Sequence, residues 1–322
     1  MTLERVMLAT SSLFLGLRFR LVAVVFASVA LGLAPQARAQ QGSGDVETIH
    51  VQGNVHMIVG SGANIAVQVG EDGVLVVDTG LGPMAEKVVA AIRRLSPGPI
   101  RWIVNTSGDP DHTGGNDAIS HAGRTVNGNA AAIHAHENVL TRMDKSGVPD
   151  SAWPLNTFYE SSKDFSFNDE AVVLNHLPAA HTNGDTIVHF RRSDVIVAGD
   201  VFMTTAYPVV DARNGGTVQG SIDALNHVLD LAVPKKQEEG GTYVIPGHGR
   251  VSDEADVLEY RDMLVIVRDR IADLIKKGMT LDQVKAARPT LDFDPRYSAP
   301  SGSASTAQFV ETVYRDLSQK KK

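Results

Sequence analysis

Asn105-Thr106-Ser107-Gly108-Asp109-Pro110-Asp111-His112-Thr113-Gly114-Gly115-Asn116 is the stretch of this sequence that says most about the fold. It follows Ile100 to Val104, an apolar run of strand length, and crowds polar side chains into the loop just beyond it. Gly114 and Gly115 allow a tight turn into a helix. If the loop stays extended, alternate side chains point the same way, so Asp109 and Asp111 can converge. Three further residues share the context of a polar group just past an apolar strand. They are His181 in Ala180-His-Thr-Asn-Gly-Asp185, Asp200 in Ala198-Gly-Asp200, and His248 in Pro246-Gly-His-Gly249. Strand-end loops are where ligand-binding groups gather in layered folds, and convergent imidazoles and carboxylates are what a metal site requires.

Outward from this loop the chain alternates strands and helices. Val55 to Val59, Ile65 to Val69 and Val74 to Val77 are short apolar runs separated by Gly60-Ser61-Gly62 and Glu71-Asp72-Gly73, which reads as a β-meander. Ala85 to Leu95 places Val88, Val89, Ile92 and Leu95 at helical spacing and stops at Ser96-Pro97-Gly98. The alternation returns with Val172 to Leu177, Thr186 to Phe190, Val195 to Ala198, a helix near Ser221 to Leu231, and Tyr243 to Ile245. Strands and helices in this order predict two packed sheets with helices outside. Three helices are expected afterwards, over Ala255 to Lys277, Leu281 to Ala287 and Ala307 to Leu317, with Asp292 to Ser305 as a linker or surface loop.

Composition narrows the function. The 322 residues hold 30 basic and 37 acidic side chains, and the only basic cluster is the last three residues, which argues against a nucleic-acid surface and for a small-molecule partner. No cysteine is present, so disulfides, thiolate ligands and a cysteine nucleophile are excluded together. Any metal must be held by His, Asp or Glu. Arg18 and Arg20, the apolar run Leu21 to Leu33 and Ala37-Arg38-Ala39 have the layout of a secretory signal. Residues 1–39 are therefore expected to be removed, leaving a periplasmic or secreted protein with no membrane attachment after cleavage. Residues 40–253 read as a catalytic domain and 254–322 as a helical extension of it.

The motif series resembles the metallo-β-lactamase superfamily of metal-dependent hydrolases. Its elements fall here on Val77-Asp78-Thr-Gly80, Ser107-Gly-Asp-Pro-Asp-His112, His181, Asp200 and His248, in the family's order. The resemblance implies an α/β fold, an αββα sandwich of two mixed β-sheets flanked by helices, with the site at one edge between the sheets. It also implies metal ligation by Asp109, Asp111, His112, His181, Asp200 and His248, with Asp200 bridging two ions. The family has His where this chain has Ser107 and Asp109. The Asp111–His112–His248 site is thus complete, while the first site is reduced to Asp109, His181 and the shared Asp200, because a neutral hydroxyl is a poor ligand for a divalent ion.

Zinc, as one or two ions, is the expected cofactor, with iron or manganese as alternatives at the altered first site. The function implied is attack of a metal-bound hydroxide on an ester, thioester, amide or lactam, or phosphoester, with Asp111 as the catalytic residue that positions it. Alternatives are a non-haem iron enzyme using oxygen or a sulfur substrate, a β-lactamase, and a non-catalytic protein binding one metal. His181-Thr-Asn-Gly-Asp185 is similar to the lactamase segment, but lactamases of this kind generally use Cys or Ser near the position of Asp200. Asp78, closing a buried strand, is expected to accept hydrogen bonds from loop amides rather than touch metal. His134-x-His136 has ligand-like spacing but reads as the start of a surface helix.

Overall fold

Glycine-centred turns break the amino-terminal half into successive antiparallel strands. They are β1 (Glu47–Gln52), β2 (Val55–Val59), β3 (Ile65–Gly70) and β4 (Gly73–Val77). The structure is a computed structural model that describes residues 44–236, 240–299 and 305–319; the expected signal segment, residues 1–39, lies outside the described residues. Helix α1 (Ala85–Leu95) then crosses over to β5 (Ile100–Val104), which pairs parallel to β4. Short helices α2 (Pro110–Thr113) and α3 (Asn116–Ala122) follow, then β6 (Ala132–His136), α4 (Glu137–Asp144) and β7 (Asn156–Phe158). Both β6 and β7 continue the parallel run, which completes a seven-stranded mixed sheet in the order β1 to β7.

The second sheet is built from β8 (Ser162–Phe167), β9 (Glu170–Leu177), β10 (Asp185–Phe190) and β11 (Val195–Met203), all antiparallel neighbours. Helix α5 (Val218–Leu231) crosses to β12 (Tyr243–His248), which lies parallel to β11, and β13 (Ser252–Asp253) forms the far edge. Helices α6 (Glu254–Lys276), α7 (Leu281–Ala286), α8 (Asp294–Tyr297) and α9 (Thr306–Gln319) end the described chain. No helix among the described residues is long and apolar enough to cross a membrane.

Side-chain alternation explains the layering, because successive residues of a strand face opposite sides. On β4, Leu75 and Val77 meet Val104 from β5 and Val188, Phe190, Val195 and Val197 from the second sheet, forming the core between the sheets. The intervening Val74 and Val76 turn outward onto Val88 and Ile92 of α1 and Ile119 of α3. On β11, Ile196 and Ala198 face outward onto α5, α6 and α9, where Leu225, Tyr260, Leu264, Phe309 and Val313 are buried. Each such fully buried side chain stabilises the fold by about 1.5–3 kcal/mol. The result is helix, sheet, sheet, helix: the αββα sandwich of two mixed sheets.

Two local expectations are corrected. His134 and His136 do not start a surface helix; both lie on β6, 8% and 4% exposed, and His134 stacks on Trp102 of β5 with ring centroids 4.9 Å apart. Only His136 also serves as a helix start, its Nδ1 accepting from Asn138 N at 3.3 Å to cap α4. Asp292 to Ser305 is not wholly a surface loop, since it contains α8, where Tyr297 is buried against Tyr207 and Tyr260.

The topology sets where chemistry can occur. The parallel strands β4 and β5 of one sheet deliver Asp78 and the loop 105–109 to the same end. The parallel pair β11 and β12 of the other sheet delivers Asp200 and His248, and the loop before β10 delivers His181.

Candidate metal centre

Asp78 anchors the central loop. Directly after β4 its backbone enters the left-handed region, with φ 63°, which Asp and Asn tolerate better than most residues. Its Oδ1 accepts from Thr106 N at 2.8 Å and its Oδ2 from Thr106 Oγ1 at 2.6 Å. The same Oδ2 lies 2.7 Å from His112 Nδ1. Asp78 therefore binds the loop amide, as its buried position demands, and also fixes the imidazole of His112 so that Nε2 faces the other way. Behind it, Asn116 Oδ1 accepts from Thr79 Oγ1 at 2.9 Å and from Asn105 Nδ2 at 3.0 Å, joining the loop to α3.

Asp109 and Asp111 reach the same edge but not as one pair. Pro110 starts α2, so the loop is not extended through Asp111, and the two carboxylates enter different groups. Asp111, His112 and His248 form one group and Asp109, His181 and Asp200 the other, with the ligand atoms of each within 4.8 Å of one another. Asp200 lies between them. Its Oδ1 is 3.2 Å from His112 Nε2 and 3.5 Å from His248 Nε2, and its Oδ2 is 4.0 Å from His181 Nε2. All six residues singled out in the sequence thus meet at one edge of the sandwich.

The donor chemistry of the first group fits a divalent ion. His112 Nε2 and Asp200 Oδ1 are buried and face each other at 3.2 Å, and neither makes a well-aligned hydrogen bond. An imidazole and a carboxylate buried face to face without a good hydrogen bond are costly, and a cation at their convergence would satisfy both. His248 Nε2 and Asp111 Oδ2, 3.2 Å apart, supply two more donors on a side that is about a third exposed. Two imidazoles and two carboxylates form an oxygen and nitrogen donor set suited to zinc, manganese or iron.

Electrostatics without an ion follow from the same contacts. Burial pushes the Asp200 carboxyl up, but His112, then His181 and His248, hold it below the usual carboxylate range. Burial disfavours the His181 imidazolium, yet its hydrogen bond to Asp109 and the field of Asp185 and Asp200 raise it to about 10. His181 Nδ1 lies 2.7 Å from the carbonyl of Val209, so it donates there and turns Nε2 toward Asp109. For Asp109, burial is again outweighed, by hydrogen bonds from His181 and Arg142, and the carboxyl sits well below its ordinary value.

Arg142 is the residue that motif reading missed. It projects from α4 and donates from both terminal nitrogens to Asp109, at 2.6 Å to Oδ1 and 3.1 Å to Oδ2. Ser107 Oγ lies 3.3 Å from Asp109 Oδ2 and accepts from Asp109 N at 3.3 Å, so the serine braces the loop. Nothing in the local sequence marks Arg142, because it reaches the site from another element 33 residues downstream. Close backbone approach completes the site at Gly247, where a Cβ would fall 2.2 Å from Asp200 Oδ1.

Comparisons with known proteins bear on the fold that carries this geometry. Among solved structures, the chain is similar to a metallo-beta-lactamase from Pontibacter korlensis, with TM-score 0.55 and 15% identity over 69% of this chain and 99% of that one. It is also similar to the stereoselective inverting sec-alkylsulfatase Pisa1 from Pseudomonas sp., with TM-score 0.61 and 16% identity over 84% of this chain and 50% of that one. At such identities the likeness concerns the fold. Among curated proteins, 174 residues are 22% identical to the "Probable RNA-directed RNA polymerase" of Saccharomyces cerevisiae virus L-BC. The matched segment is 52% of this chain but the chain spans only 11% of that protein, so nothing of its activity is carried over. The family model described as metallo-beta-lactamase superfamily matches residues 58–251, the span that holds every residue of the site. This chain belongs to the metallo-β-lactamase superfamily.

Proposed function

We propose that the protein is a metal-dependent hydrolase of a small-molecule substrate, with its ion held by Asp111, His112, His248 and Asp200. The observation that carries this reading is the pair of buried atoms, His112 Nε2 and Asp200 Oδ1, that face each other without a well-aligned hydrogen bond where Asp111 and His248 also converge. A divalent ion, when bound there, supplies a Lewis acid that polarises the scissile bond and lowers the pKa of water.

The chain's own residues do the rest. Asp78 keeps the His112 Nδ1 proton engaged and so presents Nε2 as a donor atom. Asp111 and His248 lie on the open side of the group, where a substrate can approach, and Asp111 orients the attacking water and accepts its proton. His112 and Asp200, on the closed side, exclude solvent from behind the reacting atoms. Esters, thioesters, amides or lactams and phosphoesters are the substrate classes in view, and the likeness to the alkylsulfatase adds sulfate esters. The signal-like residues 1–39 support a periplasmic or secreted location.

A hydrolase panel of those classes, run on protein stripped by chelator and reloaded with zinc, manganese or iron, tests the reading. Turnover in one class is expected, abolished by chelation and reduced about 10²–10⁴-fold by Asp111→Asn. Turnover that survives full metal removal, or no turnover of any class with every metal, would count against it.

A further inference from the structure

We propose that Arg142 takes the place of the family's first metal ion, so that this chain holds a single divalent ion. The inference rests on the metal reading above and concerns the other half of the same site. It is carried by the disagreement between the Asp109–His181–Asp200 group and what a second ion needs.

Both oxygens of Asp109 are already engaged. Arg142 grips them as a planar fork at 2.6 and 3.1 Å, and His181 Nε2 closes on Oδ2 at 2.9 Å. Bidentate guanidinium–carboxylate pairing is among the stronger and more directional contacts a protein makes. The guanidinium cannot shed its proton to make way for a cation, as an imidazole or a lysine can. It is also held in place, since Gly108 lets the Arg142 stem lie close to the loop and Asp211 sits 3.9 Å from its terminal nitrogen.

The two substitutions in the central motif complement this arrangement. Ser107 withdraws one imidazole and instead lies 3.3 Å from Asp109, while Asp109 replaces the other imidazole with the anion that an arginine requires. Asp200 is shared with the neighbouring group, so the first site has only one unshared donor, His181, that is free of Arg142. Charge closes the argument. An ion in the Asp109 group would lie against the Arg142 guanidinium, 2.6 Å from Asp109 Oδ1, so its attraction to that carboxylate is offset by like-charge repulsion. Among the described residues no Lys or Arg pairs with Asp111 or Asp200, and in that half His112 Nε2 and Asp200 Oδ1 face each other without a well-aligned hydrogen bond.

The test is zinc stoichiometry in the full mature chain, stripped by chelator, reloaded with excess Zn²⁺, freed of loose ions by gel filtration and measured by elemental mass spectrometry. One zinc per chain is expected in the wild type, lost in His248→Ala and retained in Asp109→Asn. Arg142→Ala should move the count toward two, because Asp109, His181, Asp200 and a water then suffice for a four-coordinate ion. Arg142→Lys, whose ammonium can give up its proton and lacks the fork, should also rise above one, and its long side chain guards against a folding artefact. Two zincs in the wild type would overturn the inference and leave the hydrolase reading standing. So would a single zinc that survives His248→Ala but is lost in Asp109→Asn, or a count that remains at one in Arg142→Ala. No zinc in the wild type would remove the metal reading itself.

Discussion

At the scale of single residues, the strongest constraint is the chain of contacts from Asp78 through His112 to Asp200. Asp78→Asn tolerates the same left-handed backbone but weakens the acceptor on His112 Nδ1. Metal affinity should fall about 10–100-fold, read by competition with a chromophoric chelator. An unchanged affinity would show that Asp78 serves the loop alone. Gly247→Ala should act on the opposite partner, since the added methyl would have to displace Asp200 Oδ1 from 2.2 Å. Loss of metal affinity and a lower melting temperature are expected together. Asp78, His112, His181, Asp200 and His248 were legible because motif order and strand context both marked them. Arg142 was not, because a side chain that enters from α4 leaves no spacing in the central motif. Pro110 favours the first turn of a helix, so α2 separates Asp109 from Asp111 and each carboxylate enters the group that the motif resemblance implies.

At the scale of elements, the apolar runs were read nearly to the residue: β2, β3, β4, α1 and the start of β12 all lie where periodicity placed them. β1 escaped because its residues, Glu47–Gln52, are polar and largely exposed at a sheet edge. β6 escaped for the opposite reason. Its Ala-Ile-His-Ala-His sequence looks helical and polar, yet it is a central strand between β5 and β7. The cost is visible in its histidines. Both nitrogens of His134 are buried without a partner, and burial first, then Lys163, lowers the ring to about 4. Unfolded histidine protonates near 6.5, so between there and 4 the unfolded chain binds the extra proton. Stability from this residue is present above 6.5 and lost as pH falls toward 4, by about 3 kcal/mol. His134→Phe, which keeps the stack on Trp102 and does not titrate, should flatten that acid limb in denaturant melts from pH 7 to 4. An equally steep limb in the variant would place the acid sensitivity elsewhere.

At the scale of the whole molecule, the fold was legible because the site residues are scattered through the sequence in an order that only a two-sheet sandwich brings together. Neither sheet carries the site alone: Asp78, Asp109, Asp111 and His112 come from the first, and His181, Asp200 and His248 from the second. An ion across that seam should therefore stabilise the sandwich as a unit. With free ion at about a thousand times its dissociation constant, the gain is about 4 kcal/mol, so chelation should lower the melting temperature reversibly and re-addition of zinc restore it. Anomalous diffraction from crystals of the zinc-loaded protein, collected at the zinc edge, addresses the central claim most directly. A peak is expected about 2.0–2.1 Å from His112 Nε2 and His248 Nε2, in contact with Asp111 and Asp200. No peak at that position, or density only between Asp109 and His181, would contradict it.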